Sequence, residues 1–370
     1  MKRNEIKTER DSNLELFRII VMLLIVAHHY VVNSGLIYWE RGPIIKDPLS
    51  VKSLTLLSVG AFGKSGINCF MMITGYYMCK GHITMRKYVK VLSQVVFYNV
   101  AIGCIFFITG YSAFTLREVV TMLFPVCNVQ TNFTGCYLLF FLCIPFLNIL
   151  IHSLSQKQHL ALVLLSSFIY VFYGTIPRFD VSMNYVSWFC VIYFLASYIR
   201  LYPRKVYSNT KLWGVLTVIA LILSVVSVVL CTWLGVRTGT FAPYQFVSEA
   251  NNFLAVAVGL CSFMLFKNIR MRNSRFINVI ASTTFGVLCI HANSGTMRKW
   301  LWEDLLNNIG AYYTEYWLLH FVGSVISVFA VCSLIEYLRQ KLVEKPILKL
   351  WDKIISKVSK KFQGSNTKLL

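Results

Sequence analysis

The chain reads as an all-α, polytopic integral membrane bundle of about ten transmembrane helices, with the N and C termini both cytoplasmic. Three observations predict that. Of 370 residues, 56% are apolar and only 14% charged, too little polar surface for a soluble fold of this length. Apolar stretches near the roughly 20 residues needed to cross hydrocarbon recur almost end to end, leaving no window for a separate globular unit. Lys and Arg gather in alternate connecting segments, as cytoplasmic loops require.

The expected spans are 14–33, 53–78, 91–110, 134–152, 160–177, 185–200, 212–235, 251–267, 276–292 and 315–337. A leader over 1–13 and a basic tail over 338–370 flank a membrane domain over 14–337. The first span follows a charged leader but has no small-residue cleavage site and carries His28 and His29, so it is retained as a helix. With the N terminus inside, the inner segments hold Lys2, Arg3, Lys7 and Arg10; Lys80, Arg86, Lys87 and Lys90; Lys157; Arg200, Arg204, Lys205 and Lys211; Lys267, Arg270, Arg272 and Arg275; and the run from Arg339 to Lys368. The outer segments hold only Arg41, Lys46, Lys52, Arg117, Arg178, Arg237, Arg298 and Lys299. That asymmetry sets the orientation.

The net charge of +21 would suggest nucleic acid in a soluble protein, but here the cations follow membrane topology, and nucleic acid is not an expected partner. The eleven cysteines lie mostly inside apolar stretches without metal-ligand or paired-loop spacing, as packing residues do. Neither a metal site nor a disulfide framework is expected. No internal repeat supports the two related halves of many transporters. Residues 339–361 set Leu342, Ile347, Leu350, Trp351, Ile354 and Val358 at helical spacing among lysines, an amphipathic helix for the inner lipid leaflet.

Ionisable groups within spans cost about 2.5–3.5 kcal/mol each on insertion scales and so point to function. Arg18 and His29 are eleven residues apart, about three turns plus 20° and a rise of about 16 Å, so they share one helix face. That polar stripe must face the bundle interior or a water-filled cavity. The second span adds Lys64, Asn68 and Thr74, with Gly63, Gly66 and Gly75 allowing close helix approach. His291, high in the ninth span, matches the depth of His29, so His28, His29 and His291 are candidates to line one polar chamber. Glu15, three residues before Arg18, is placed for a helix-face ion pair, and His320 for the outer interface.

The pattern R-x10-H ending in His28-His29-Tyr30, with GINCFMMITGYYM in the second span, resembles the membrane acyltransferase 3 family. FTGCYLLFFLCIPFLN at 133–148 is similar to its fourth-helix segment, with Asn132 where Trp is usual. FGVLCIH at 285–291 resembles its late Phe-Gly-x-Tyr-Leu-Ile-His motif, with Leu288 in place of Tyr. The resemblance runs from Arg18 to Trp351 and implies a stand-alone member, without an appended esterase-like domain, in a bacterial cytoplasmic membrane. It implies transfer of an acyl group, usually acetyl, from cytoplasmic acyl-CoA to a hydroxyl of a cell-surface or lipid-linked glycan. Acyl-CoA is then a donor substrate, with no bound cofactor.

The residue chemistry agrees with that reading. A neutral His removes a hydroxyl proton or relays the acyl group, and Arg pairs with CoA phosphate or polarises a thioester carbonyl. Arg86, Lys87 and Lys90, in the stretch GHITMRKYVK, resemble the family's basic inner loop near CoA. Transfer through an acyl-His29 and direct transfer both fit. A proton-coupled carrier or flippase of lipid-linked sugars is the competing reading, disfavoured by the scarcity of Asp and Glu in the spans. A subunit without catalysis would leave Arg18 and His29 as packing residues.

Overall fold

The computed structural model describes residues 11–366 except 39–41, 82, 114, 128–132, 178, 180 and 182, with side chains as far as 357. Arg41, Asn132, Arg178 and the leader up to Arg10 lie outside the described residues, as do Lys368 and the Val358 side chain. Among the described residues the chain is helical and contains no strand.

Local sequence sets most helix ends. Helix α1 (Ser12–Val32) carries Glu15 in its first turn, where the helix dipole favours an anion, and ends shortly before Gly35 at φ 76°. Helix α2 (Val51–Gly60) starts where Ser50 accepts from the Ser53 amide. A two-residue break leads to α3 (Gly63–Met78), and Thr84 caps α4 (Met85–Ile108). Helix α5 (Phe133–Ser153) precedes α6 (Gln156–Ser167), which opens on a Ser155/Gln158 capping box. Asn184 and Asn209 cap α7 (Tyr185–Leu201) and α8 (Thr210–Thr238). Then follow α9 (Phe253–Asn268), α10 (Arg275–Ala281), α11 (Thr284–His291), α12 (Trp317–Arg339) and α13 (Lys345–Asn366).

Seven helical stretches among the described residues are long and apolar enough to cross a membrane: Ser12–Val32, Val51–Met78, Met85–Ile108, Phe133–Ser153, Gln156–Thr175, Thr210–Thr238 and Trp317–Lys357. The other three expected spans are also helical, but differ from a full crossing in form. Helices α7 and α9 have 17 and 16 residues, about 25 Å at 1.5 Å per residue, short of a hydrocarbon core of about 30 Å. The ninth expected span, 276–292, is found as the helical stretch Arg275–His291, which bends by 97° into Gly295–Leu305. At the start of α4, Arg86, Lys87 and Lys90 sit on helical turns begun by the Thr84 cap, not on a free loop.

Helix α1 is the axis of the bundle. It packs against α2, α3, α9, α10, α11 and α12, while α3 also meets α7 and α9. Outer helices keep an apolar face outward: Val215, Ile222, Leu230 on α8 and Leu319, Ile326, Leu334 on α12 are exposed, as lipid contact requires. The opposite stripe of α8 is small and buried (Thr217, Ala220, Ser224, Val228, Thr232), so α9 approaches closely. Its hydroxyls are not stranded there: Thr217, Ser224 and Thr232 each donate to the carbonyl four residues back. All eleven cysteines are free thiols.

Candidate active site

One face of α1 opens onto a large internal cavity. Arg18, Met22, Ile25, His28, His29 and Val32 recur at three- and four-residue spacing along its wall, so the shared face of Arg18 and His29 is a cavity face. The volume is about 1400 Å³, above the roughly 300–1,000 Å³ of single-ligand sites and roomy enough for two substrates. Thr74, Tyr77 and Gln94 line it at the Arg18 end; Asn99, Asn184, Glu249, Asn293 and Arg298 line it beyond His29.

At His29 the hydrogen bonds determine which nitrogen is free. His291 Nδ1 lies 2.6 Å from the Val287 carbonyl, an acceptor only, so Nδ1 carries the proton. In the neutral ring His291 Nε2 is then a lone pair, and it lies 3.0 Å from His29 Nδ1. His29 Nδ1–H therefore donates to His291, and His29 Nε2 is left as an unprotonated nitrogen with no partner among the described residues. His28 turns the other way, its Nδ1–H donating to the Gly60 carbonyl at 2.5 Å. A methyl group on Gly63 would collide with the His28 ring, which explains glycine at that turn.

A family profile for the acyltransferase domain matches residues 11–337, most of the chain. The chain belongs to the membrane acyltransferase 3 family. No curated protein and no solved structure matches it. It is thus a multi-pass membrane acyltransferase, and the cavity around His29 is its candidate active site.

In this membrane acyltransferase 3 protein the expected site residues divide into three groups. Arg18, His28, His29, Lys64 and Thr74 line the cavity. Lys64 donates to Tyr185 Oη at 2.8 Å and pairs with Glu249 at 3.5 Å, while Thr74 donates to the Phe70 carbonyl at 2.9 Å. His291 is fully buried behind His29 and is not part of the cavity wall. Asn68 is also off the wall: it donates to the Ala250 carbonyl at 2.7 Å and accepts from Trp188 Nε1 at 2.9 Å. Its side chain points into the α3–α7–α9 seam, where it ties the helices together. Arg86, Lys87 and Lys90 stand apart from the cavity, with Arg86 paired to Asp352 at 3.0 Å and Lys90 to Glu344 at 2.8 Å.

The Glu15–Arg18 ion pair is not formed. At i, i+3 the two side chains diverge by about 60° around the helix, so Arg18 faces the cavity while Glu15 is buried against neighbouring helices. Among the described residues Arg18 Nε has no hydrogen-bond partner. His320 accepts or donates at 2.9 Å with Tyr30 Oη, a contact within the bundle.

Sequence reasoning missed a buried ionic knot. Glu336, in the last span, is fully buried, accepts from Arg339 at 2.7 Å and from Tyr98 Oη at 2.7 Å, and Arg339 also donates to Glu344 at 2.7 Å. Arg339 was expected in the cytoplasmic tail, but α12 carries it into the protein interior at 3% exposure. The i, i+3 Glu-Arg spacing was a readable signal for it. Asn148 was missed as well; it accepts from Tyr193 Oη at 2.6 Å and donates to the Met78 carbonyl at 3.1 Å, joining α5 to α7 and α3.

Proposed function

We propose that this acyltransferase moves an acyl group, acetyl in the simplest case, from cytoplasmic acyl-CoA to a hydroxyl of a cell-surface or lipid-linked glycan in a bacterial cytoplasmic membrane. The observation that carries the reading is one cavity running from Arg18 to His29, with the His29–His291 contact leaving Nε2 as the free base. In this reading ten helices cross the membrane with both termini cytoplasmic, so Arg18 lies toward the donor side and His29 toward the acceptor side.

The chemistry follows from those positions. His29 Nε2 takes the proton of the acceptor hydroxyl as its oxygen attacks the thioester carbonyl. The C–S bond breaks, CoA leaves as the thiol after the proton returns to sulfur, and the acyl group remains as an ester on the glycan. Arg18, unpaired at the other end, is suited to hold a phosphate of the donor. Arg86, Lys87 and Lys90 offer positive charge at the cytoplasmic approach for CoA, in competition with the two carboxylates of the C-terminal region.

The test is His29→Ala and Arg18→Ala in cells that make the protein. Each variant is expected to lose glycan O-acetyl signals by NMR while protein level and glycan export stay normal. Unchanged acetylation with the protein present sinks the assignment. Lost export with acetylation intact points instead to a carrier.

A further inference from the structure

Beyond His29 the cavity holds a positive charge that acyl transfer as described leaves unused. Arg298 lines the wall, and its guanidinium makes no hydrogen bond or ion pair with any described residue. It sits near the catalytic pair: Trp302, four residues further along the same helical stretch, packs its ring 6.5 Å from that of His291. Its position is built by the fold: the 97° bend after His291 redirects the chain, and Ser294 Oγ caps the new helix by accepting from the Met297 amide at 3.1 Å.

Among the described residues no carboxylate on that wall is free to meet it, and Glu303, five residues further along the chain, accepts from Tyr38 Oη at 2.8 Å. Two acidic residues line the cavity. Glu249 is paired with Lys64 at 3.5 Å. Glu118 accepts from the Thr115 amide at 2.8 Å and from Thr115 Oγ1 at 2.9 Å, bonds that hold its carboxyl below the usual range. Asn293, on the same wall, is occupied in donating to Asn99 Oδ1 at 3.0 Å and to the Cys289 carbonyl at 3.1 Å. Arg298 is half-buried on the cavity wall, and a planar oxyanion that fills its fork makes paired charge-assisted hydrogen bonds with it.

We propose that Arg298 receives an anionic group of the acceptor, a carboxylate or a phosphate borne on the sugar near the hydroxyl that is acylated. The inference deepens the acyl-transfer reading and rests on it. Arg298 binds and orients the acceptor, and His29 acts on its hydroxyl. Neutral sugars enter the same cavity without that anchor.

Binding, measured apart from turnover, tests it. The detergent-purified full chain is titrated by saturation-transfer NMR with methyl glucuronide, glucose 1-phosphate and methyl glucoside. At least one anionic probe is expected to bind about tenfold more tightly than the neutral one, the scale of one charge-assisted hydrogen bond. Which anion is preferred tells carboxylate from phosphate. Arg298→Gln is expected to bring the ratio to about one and Arg298→Lys to an intermediate value. His29→Ala should leave the ratio unchanged, so a failed transfer reaction and a failed anion site give different results. No anion preference in the native protein, or a preference that survives Arg298→Gln, overturns the proposal.

Discussion

At the residue scale, the histidine pair explains why R-x10-H alone is an incomplete description of the site. His29 Nε2 is a base only because His291 Nε2 accepts from Nδ1, and His291 is held in that tautomer by the Val287 carbonyl. His291→Phe is expected to lower kcat by tenfold or more, within the roughly 10²–10⁴ that a positioned base supplies, with KM for the proposed acyl-CoA donor unchanged. His291→Gln, whose amide oxygen can accept the same proton, is expected to recover part of the rate. Equal loss in both variants would make His291 a packing residue. Asn68 gives the opposite profile. Asn68→Ala strands the Trp188 indole N–H and the Ala250 carbonyl, and is expected to cost about 1–3 kcal/mol in a thermal or denaturant unfolding assay. The folded fraction should keep its activity.

At the element scale, α12 and α13 form one continuous helical rod through a π turn at Gln340–Glu344. The buried Glu336–Arg339–Glu344 knot fastens that turn to Tyr98 on α4, and Lys90 reaches Glu344 from the same helix. The tail is therefore docked along α4 as well as placed to meet lipid: Leu348 is buried, whereas Leu350, Ile354 and Ile355 are exposed. Arg86 and Asp352 are each about half exposed, so their pair contributes less than about 1 kcal/mol by a double-mutant cycle. A rise in the KM for acyl-CoA in the Arg86→Gln/Lys87→Gln/Lys90→Gln triple variant, with the melting temperature nearly unchanged, would assign these cations to the donor. An unchanged KM would leave them to topology alone.

At the scale of the whole molecule, the arrangement is a bundle around one polar interior, with α1 as the central wall. The proposed orientation is open to direct measurement. Single cysteines at Lys349 and Lys46, in a background stripped of native cysteine, are expected to react with a membrane-impermeant maleimide from the cytoplasmic and the outer side respectively. Labelling from the reverse sides would invert the donor and acceptor ends of the cavity.

Much of this was legible along the chain. Apolar length and the avoidance of charge determine that the protein is a helical membrane bundle, because lipid leaves the backbone no other partner than itself. Helical periodicity places Arg18 and His29 on one face, and the cost of a buried charge marks that face as a cavity wall. Lateral distance has no such local signature. Only the packing of α11 behind α1 decided that His291 supports His29 from outside the cavity, that Asn68 serves the helix seam, and that Glu15 turns away from Arg18. The bend after His291 brought Arg298 to the same wall, and nothing in the spacing of an outer segment announces a 97° turn. Sequence sets what each helix must hide from lipid; which hidden groups meet is set by how the helices cross.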